Sequence, residues 1–173
     1  MKLLLHTCCG PCAMYPLELL ISEGNEITTW FYNPNIHPVE EFEKRLENAY
    51  LAISSYNLPF LASHEMLQES WENFCGSNDE RCTMCYSLRL GSTAKKAAKE
   101  GFEAFTTTLL VSPYQKHELI KTLGESLAKK YSIHFLYKDF RSGFRHGQQL
   151  AKASGLYRQR YCGCIVSLPL QKD

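Results

Sequence analysis

An α/β layered fold with a parallel sheet is predicted for this 173-residue chain on three observations. Short apolar or β-branched runs alternate with stretches of helical periodicity along almost its whole length. The segments between successive runs are long enough to hold a helix, as parallel pairing requires. The residues with the most chemistry fall at or just after strand ends, where sheets of this kind place their ligands.

The elements follow in order. Lys2–Thr7 is a short apolar run and reads as a buried strand. Pro11 suits a helix start, and that helix is expected to run to Gly24, a C-terminal stop. Ile27–Tyr32 is β-branched and aromatic, a second strand, and Asn33-Pro34-Asn35 is a turn signal. Val39–Tyr56 carries Phe42, Leu46, Ala49 and Ile53 at helical spacing. Pro59–Ala62 reads as a third strand and Met66–Phe74 as a short helix. A longer helix is expected over Thr83–Glu100, closed by Gly101. Ala104–Val111 is a strand, Tyr114–Lys130 a helix, Ile133–Tyr137 a strand, and Arg145–Ala153 a helix ending near Gly155.

The length suits one domain over residues 1–173. Hydrophobic residues make up 45% and charged residues 21%, ordinary for a soluble globular protein. No apolar run approaches the ~18 residues of a membrane span, and Lys2-Leu3-Leu4-Leu5 is too short for a secretory signal core. The expected location is therefore the cytoplasm, without a membrane partner. Net charge is +1, but residues 1–80 hold 3 Lys/Arg against 12 Asp/Glu, whereas residues 81–173 hold 16 against 6. This asymmetry points to a nucleic-acid partner for the basic half, or to charges that alternate over the folded surface.

Seven of the eight cysteines cluster: Cys8, Cys9 and Cys12, then Cys82 and Cys85, then Cys162 and Cys164. In a reducing compartment, such clusters bind metal or do redox chemistry. Cys75 stands apart and is expected to be a buried or half-buried free thiol. Cys82-Thr-Met-Cys85 at a helix start would put two sulfurs on one face, with ionisation favoured by the helix terminus. Four thiols from two places, Cys8, Cys9, Cys82 and Cys85, suffice for a [4Fe–4S] cluster or for tetrahedral zinc. Adjacency of Cys8 and Cys9 favours the cluster, because a cubane offers each sulfur its own iron. Cys9-Gly10-Pro11-Cys12 matches the thioredoxin active-site string. Thioredoxin-like proteins place that string after a strand–helix unit, whereas here it follows the first strand directly.

Cys162-Gly163-Cys164 can close a strained, reducible disulfide or ligate a second metal. The string around it interleaves Tyr157, Arg158 and Arg160, a mixture that suits single-stranded RNA; a surface strand with snorkelling arginines is the alternative. Asp139, in Asp139-Phe140-Arg141, is a candidate general acid or metal ligand, or else a salt-bridge partner or helix cap. His6, in an apolar strand, reads as a satisfied core histidine. Asn33–Pro38 lines a pocket or forms a rigid turn.

Together these strings resemble the epoxyqueuosine reductase QueH family. The resemblance rests on His6–Cys12, Phe31–Pro38, Arg81–Tyr86, Thr106–Tyr114, Asp139–Arg141 and Gly155–Cys164, in one order over nearly the whole chain. Ala13 stands where members carry a serine. The resemblance implies a Rossmann-like, nucleotide α-hydrolase-like fold, with a helical and cysteine-rich C-terminal part packed at the carboxyl ends of the strands. It implies reduction of epoxyqueuosine to queuosine at the tRNA wobble position, with a [4Fe–4S] cluster and an additional iron or other metal ion. On these residues the cluster ligands are Cys8, Cys9, Cys82 and Cys85. Cys162 and Cys164 form a redox-active pair, and Cys12 and Asp139 are candidates for a second metal. Arg141, Arg158, Arg160 and Tyr157 are the expected contacts to the anticodon arm, and an electron donor is required. Two other classes stand beside this reading: a zinc-stabilised RNA-binding module without catalysis, and a thiol–disulfide oxidoreductase using Cys9 and Cys12.

Overall fold

In the computed structural model, which describes residues 1–170, five strands form one parallel sheet. They are β1 (Lys2–His6), β2 (Glu26–Phe31), β3 (Phe60–Ala62), β4 (Ala104–Thr107) and β5 (His134–Phe135). Six α-helices connect or follow them: α1 (Gly10–Ser22), α2 (Val39–Ser54), α3 (Gln68–Glu72), α4 (Asn78–Lys99), α5 (His117–Tyr131) and α6 (Phe144–Ala153). The strand order is β3-β2-β1-β4-β5. Leu3, Leu4 and Leu5 are wholly buried, as a central strand covered on both faces demands. The chain winds from β1 outward to β3, then returns past β1 to build β4 and β5. Right-handed crossovers in opposite directions put helices on opposite faces. Accordingly α1 packs with α2 and α6, and α4 packs with α5. The direction reverses between β1 and β4, where His6 pairs with Thr107. Such a reversal leaves a crevice at the carboxyl ends of the two strands.

Several boundaries differ from the sequence expectation. The fourth strand stops at Thr107 instead of Val111. The Thr107 hydroxyl accepts from the Leu109 amide at 3.1 Å and starts a 3-10 turn over Thr108–Val111. A threonine hydroxyl offers the backbone this local alternative to a ladder. The last strand shrinks to His134–Phe135. The long helix starts at Asn78, five residues earlier than expected. Ser77 caps it in a reciprocal box: the Glu80 amide donates to Ser77 Oγ at 3.2 Å, and the Ser77 amide donates to Glu80 Oε2 at 2.7 Å. The Ser-x-x-Glu spacing was readable in the sequence and is the stronger start signal. The surface strand considered for residues 156–164 is absent, and that segment runs irregularly over the strand ends. Among the described residues, no helix is long and apolar enough to cross a membrane.

Candidate metal centre and substrate cavity

The crevice between β1 and β4 is occupied by thiols. The Cys8 amide donates to Thr108 Oγ1 at 3.1 Å, and that hydroxyl donates to Cys8 Sγ at 3.2 Å. Cys9 is the extended N-cap of α1. The sulfurs of Cys8, Cys9 and Cys12 all lie within 4.8 Å of one another and all three residues are buried. Gly10 explains why the string looks like a redox motif without needing to be one. A Cβ there would meet the Asn48 carbonyl oxygen at 2.6 Å, so glycine is what lets the start of α1 approach α2. The trio concentrates negative charge on one sulfur. Hydrogen bonds from Cys12 and Cys9, then the positive charge of Arg89 and a hydrogen bond from Thr108, pull the Cys8 thiol well below its ordinary range. Burial pushes Cys9 up, and donation to Cys8 pushes Cys12 up. Below the trio, His6 is a satisfied core histidine, as expected. Its ring bonds Thr107 Oγ1 at 2.8 Å and the Tyr32 carbonyl at 3.1 Å, and burial pushes it down to about 3.

Cys82 and Cys85 face this region from α4, but not from its first turn. Because the helix begins at Asn78, its terminus does not set their ionisation, and burial raises both thiols. The expectation of thiols acidified by a helix start is corrected on this point. The cation near them is a side chain: Arg89 Nη1 stands 3.8 Å from Cys85 Sγ, one helical turn on.

The C-terminal segment is fastened over the strand ends by groups the motif reading did not single out. Arg45, buried on α2, pairs with Glu41 at 2.7 Å and donates to the carbonyls of Tyr161 at 2.9 Å and Cys162 at 3.1 Å. The His37 amide donates to the Gly163 carbonyl at 2.8 Å. His37 Nδ1 accepts from the Ile165 amide at 3.3 Å while Nε2 faces the Pro34 carbonyl at 2.9 Å. That pattern requires the neutral Nε2–H tautomer, and burial lowers the His37 pKa in agreement. Gly163 has φ +110°, and a Cβ there would lie 3.0 Å from Ile36 and 3.1 Å from Arg45. Gln159 Nε2 donates to Cys9 Sγ at 2.8 Å and sits 3.6 Å from Cys12 Sγ, which ties the segment to the trio.

Within this segment the two cysteines differ sharply. Cys162 is exposed and Cys164 buried. A hydrogen bond from Cys164, then one from Ser167, brings Cys162 down to about 5, while Cys164 is driven up. Cys162 is therefore the more acidic thiol of the two. In the reduced, metal-free protein, its alkylation by iodoacetamide should be flat from pH 6 to 8 and fall about tenfold per unit below pH ~4.5. An unperturbed thiol would instead keep gaining rate up to pH ~8.5. Mass mapping of the alkylated peptide checks this.

Two adjoining cavities open here. The larger, about 420 Å³, has Cys8 and Cys12 in its wall with Arg45, Arg89, Arg158 and Arg160 and no carboxylate. The smaller, about 190 Å³, is lined by Cys82, Cys85, Cys162 and Cys164, among others. Arg89, Tyr114, Gln115 and Cys162 line both. The larger volume falls in the range of small-molecule sites. Soft sulfur donors with adjacent space and a buried cation fit an anionic thiolate-bound metal centre.

Other expected site residues are committed elsewhere. Asp139 accepts from Arg141 Nε at 2.9 Å and Nη2 at 2.6 Å, which holds its carboxyl down at about 2. In this arrangement it is ionised and is no proton donor near neutrality, and Arg141 is its ion-pair partner. Tyr157 donates to Glu41 at 2.9 Å and has Lys44 over its ring, so that face is covered. Cys75 is exposed, against the expectation of burial. An aromatic not singled out before, Tyr114, is 85% exposed and stands edge-on to Phe144 at the cavity rim.

The family model described as epoxyqueuosine reductase QueH matches residues 3–169. A relative from Dehalococcoides mccartyi named epoxyqueuosine reductase QueH is 39% identical over 168 residues, covering 96% of this chain and 92% of its own. One of the same name from Thermotoga maritima is 36% identical over 175 residues, covering 95% and 89%. Among solved structures, a teicoplanin deacetylase complex superposes with TM-score 0.52 at 7% identity, covering 89% of this chain and 86% of the other. The zinc-inhibited form of teicoplanin deacetylase Orf2 gives TM-score 0.52 at 9% identity, covering 78% and 66%. At such identity these two likenesses bear on the fold alone.

Proposed function

The chain belongs to the epoxyqueuosine reductase QueH family, and from that premise we propose that it reduces epoxyqueuosine to queuosine at the tRNA wobble position. The observation that carries this reading is the joining of two thiol groups and an acid-free, arginine-lined cavity at one end of the sheet. Removing an epoxide oxygen as water leaves a carbon–carbon double bond and consumes two electrons and two protons. Oxidation of the Cys162–Cys164 pair to a disulfide releases the two electrons and, because Cys162 is already ionised, one proton from Cys164; solvent supplies the second proton. In the disulfide, the exposed Sγ of Cys162 is the sulfur that an external reductant reaches to restore the pair.

Cys8, Cys9, Cys82 and Cys85 would hold a [4Fe–4S] cluster, with Cys12 beside them. When bound, the cluster supplies single-electron delivery close to the substrate carbon. Cys12 and Asp139 are the proposed donors to an additional metal ion. The ionised state of Asp139 suits a ligand better than a general acid, and ligation requires its release from Arg141. An external electron donor completes the cycle.

For the RNA, Arg158 and Arg160 are the phosphate contacts the cavity supports, whereas Arg141 and Tyr157 are engaged within the protein. Tyr114 takes the stacking role expected of Tyr157, because its ring is free at the rim. The Tyr114→Ala enzyme should show KM for tRNA raised about tenfold with kcat little changed, from loss of one base–aromatic contact. Steady-state kinetics on the modified tRNA checks this, with Tyr114→Phe expected to restore KM.

Anaerobic turnover of epoxyqueuosine-containing tRNA with a chemical reductant tests the function as a whole. Queuosine should appear in the nucleoside digest. A colourless protein with stoichiometric zinc and no product would overturn the reading.

A further inference from the structure

Arg89 is a buried cation without an acid. Its side chain is 4% exposed, and among the described residues no ion pair includes it. A guanidinium does not shed its proton, and burying one costs several kcal/mol unless negative charge faces it. Its direct hydrogen-bond partners are a neutral amide and a thiol, and the negative charge that faces it comes from the cysteine sulfurs, Cys85 and Cys8. Nη2 donates to Asn33 Oδ1 at 2.8 Å, and Nη1 stands 3.8 Å from Cys85 Sγ. Nε is buried and has no acceptor. Asn33 is fixed in turn, since its Nδ2 donates to the Thr7 carbonyl at 2.9 Å, which aims Oδ1 at Arg89. The guanidinium is thus held in place, incompletely satisfied. It lines the cavity that contains Cys8 and Cys12 and also the one that contains Cys82 and Cys85.

The proposal rests on the reading that these cysteines bind an iron–sulfur cluster. We propose that Arg89 is a positioning residue for that cluster, supplying the fixed positive charge and free N–H that the anionic thiolate-bound group requires where the two cysteine groups meet. Two consequences follow from elementary electrostatics. A cation beside the thiolates favours assembly of an anionic centre. It also stabilises the reduced centre more than the oxidised one, because reduction adds an electron, so it raises the reduction potential. A purely structural peg between α4 and the turn at Asn33 would affect folding and leave the potential alone.

The test compares the full chain with Arg89→Gln and Arg89→Lys after anaerobic reconstitution with iron and sulfide. Iron and sulfide per chain, the dye-mediated midpoint potential and the thermal midpoint are measured for each. Arg89→Gln should bind iron about 10–100-fold more weakly, the cost usual for losing a group that contacts metal ligands, and what cluster it retains should have a more negative potential. Arg89→Lys keeps a charge but not the planar fork, so its potential should fall between the other two. If Arg89→Gln does not fold, Arg89→Lys decides: a displaced potential supports the proposal and an unchanged one overturns it. Wild-type iron content and potential in both variants would also overturn it, as would a raised KM for tRNA as their sole defect. A parent protein that takes up no iron and sulfide would remove the cofactor reading itself, an outcome distinct from failure of the variants alone.

Discussion

The Cys85→Ser protein is expected to come off an anaerobic column nearly colourless, with iron far below stoichiometric and no detectable turnover. Cys85 is buried on α4, and its sulfur stands beside Arg89, facing the space between the two thiol groups. Loss of a group that merely contacts a metal ligand weakens metal binding ~10–100-fold, so loss of a ligand should exceed that. Serine keeps the volume nearly constant, which limits the cavity and spares the fold. Two comparisons make the result specific. Cys75→Ser should match the parent, because Cys75 is exposed and apart from both groups. Cys162→Ser should keep its iron but lose turnover, because the dithiol is broken while the proposed ligands remain. Full iron content in Cys85→Ser would remove it from the ligand set. Equal iron loss in Cys85→Ser and Cys162→Ser would mean that the two pairs are not separable as proposed.

The Arg45→Met enzyme is expected to lose stability and activity together while retaining most of its iron. Arg45 is 3% exposed, pairs with Glu41, and is the donor that holds the Tyr161 and Cys162 carbonyls over the site. Breaking a buried pair of this kind costs about 3 kcal/mol, since two carbonyls lose their donor and Glu41 is left with Tyr157 and no cation. The denaturant midpoint should fall accordingly with an unchanged slope. Activity should drop on the order of a hundredfold even where the protein remains folded, because the Cys162–Cys164 pair is no longer held at the cavity. Arg45→Lys should recover little, as one ammonium cannot serve Glu41 and both carbonyls in the same plane. Unchanged kcat in a destabilised Arg45→Met protein would show that the segment keeps its position without this clamp.

Both expectations depend on groups that folding brings together from distant parts of the chain, and they mark the division between what could be read in the chain and what could not. Local chemistry was legible. The alternation of Leu3–Leu5, Ile27–Phe31 and Phe105 with amphipathic stretches specified a parallel α/β sheet, because each period can bury its apolar side in one way only. Three cysteine groups made a metal or redox centre the expectation, and the fold brings Cys8, Cys9 and Cys12 together as a group that could hold a metal ion. Even the true start of α4 was written in Ser77 and Glu80, although the cysteines after it were the more conspicuous signal. The tertiary structure decided the rest. It set the strand order that brings Cys8 against Thr108, the burial that raises Cys82 and Cys85 where a helix terminus was expected to lower them, and the pairing of Asp139 with Arg141. It also gave roles to Arg45, Arg89 and His37, which in sequence are ordinary residues on a helix face or in a turn. Their charge and tautomer acquire meaning only when folding removes water from around them, because the cost of an unmatched polar group exists only in the interior. The sequence by itself therefore determined which residues are candidates for the chemistry, and the folded chain determined what surrounds them and what holds them in place.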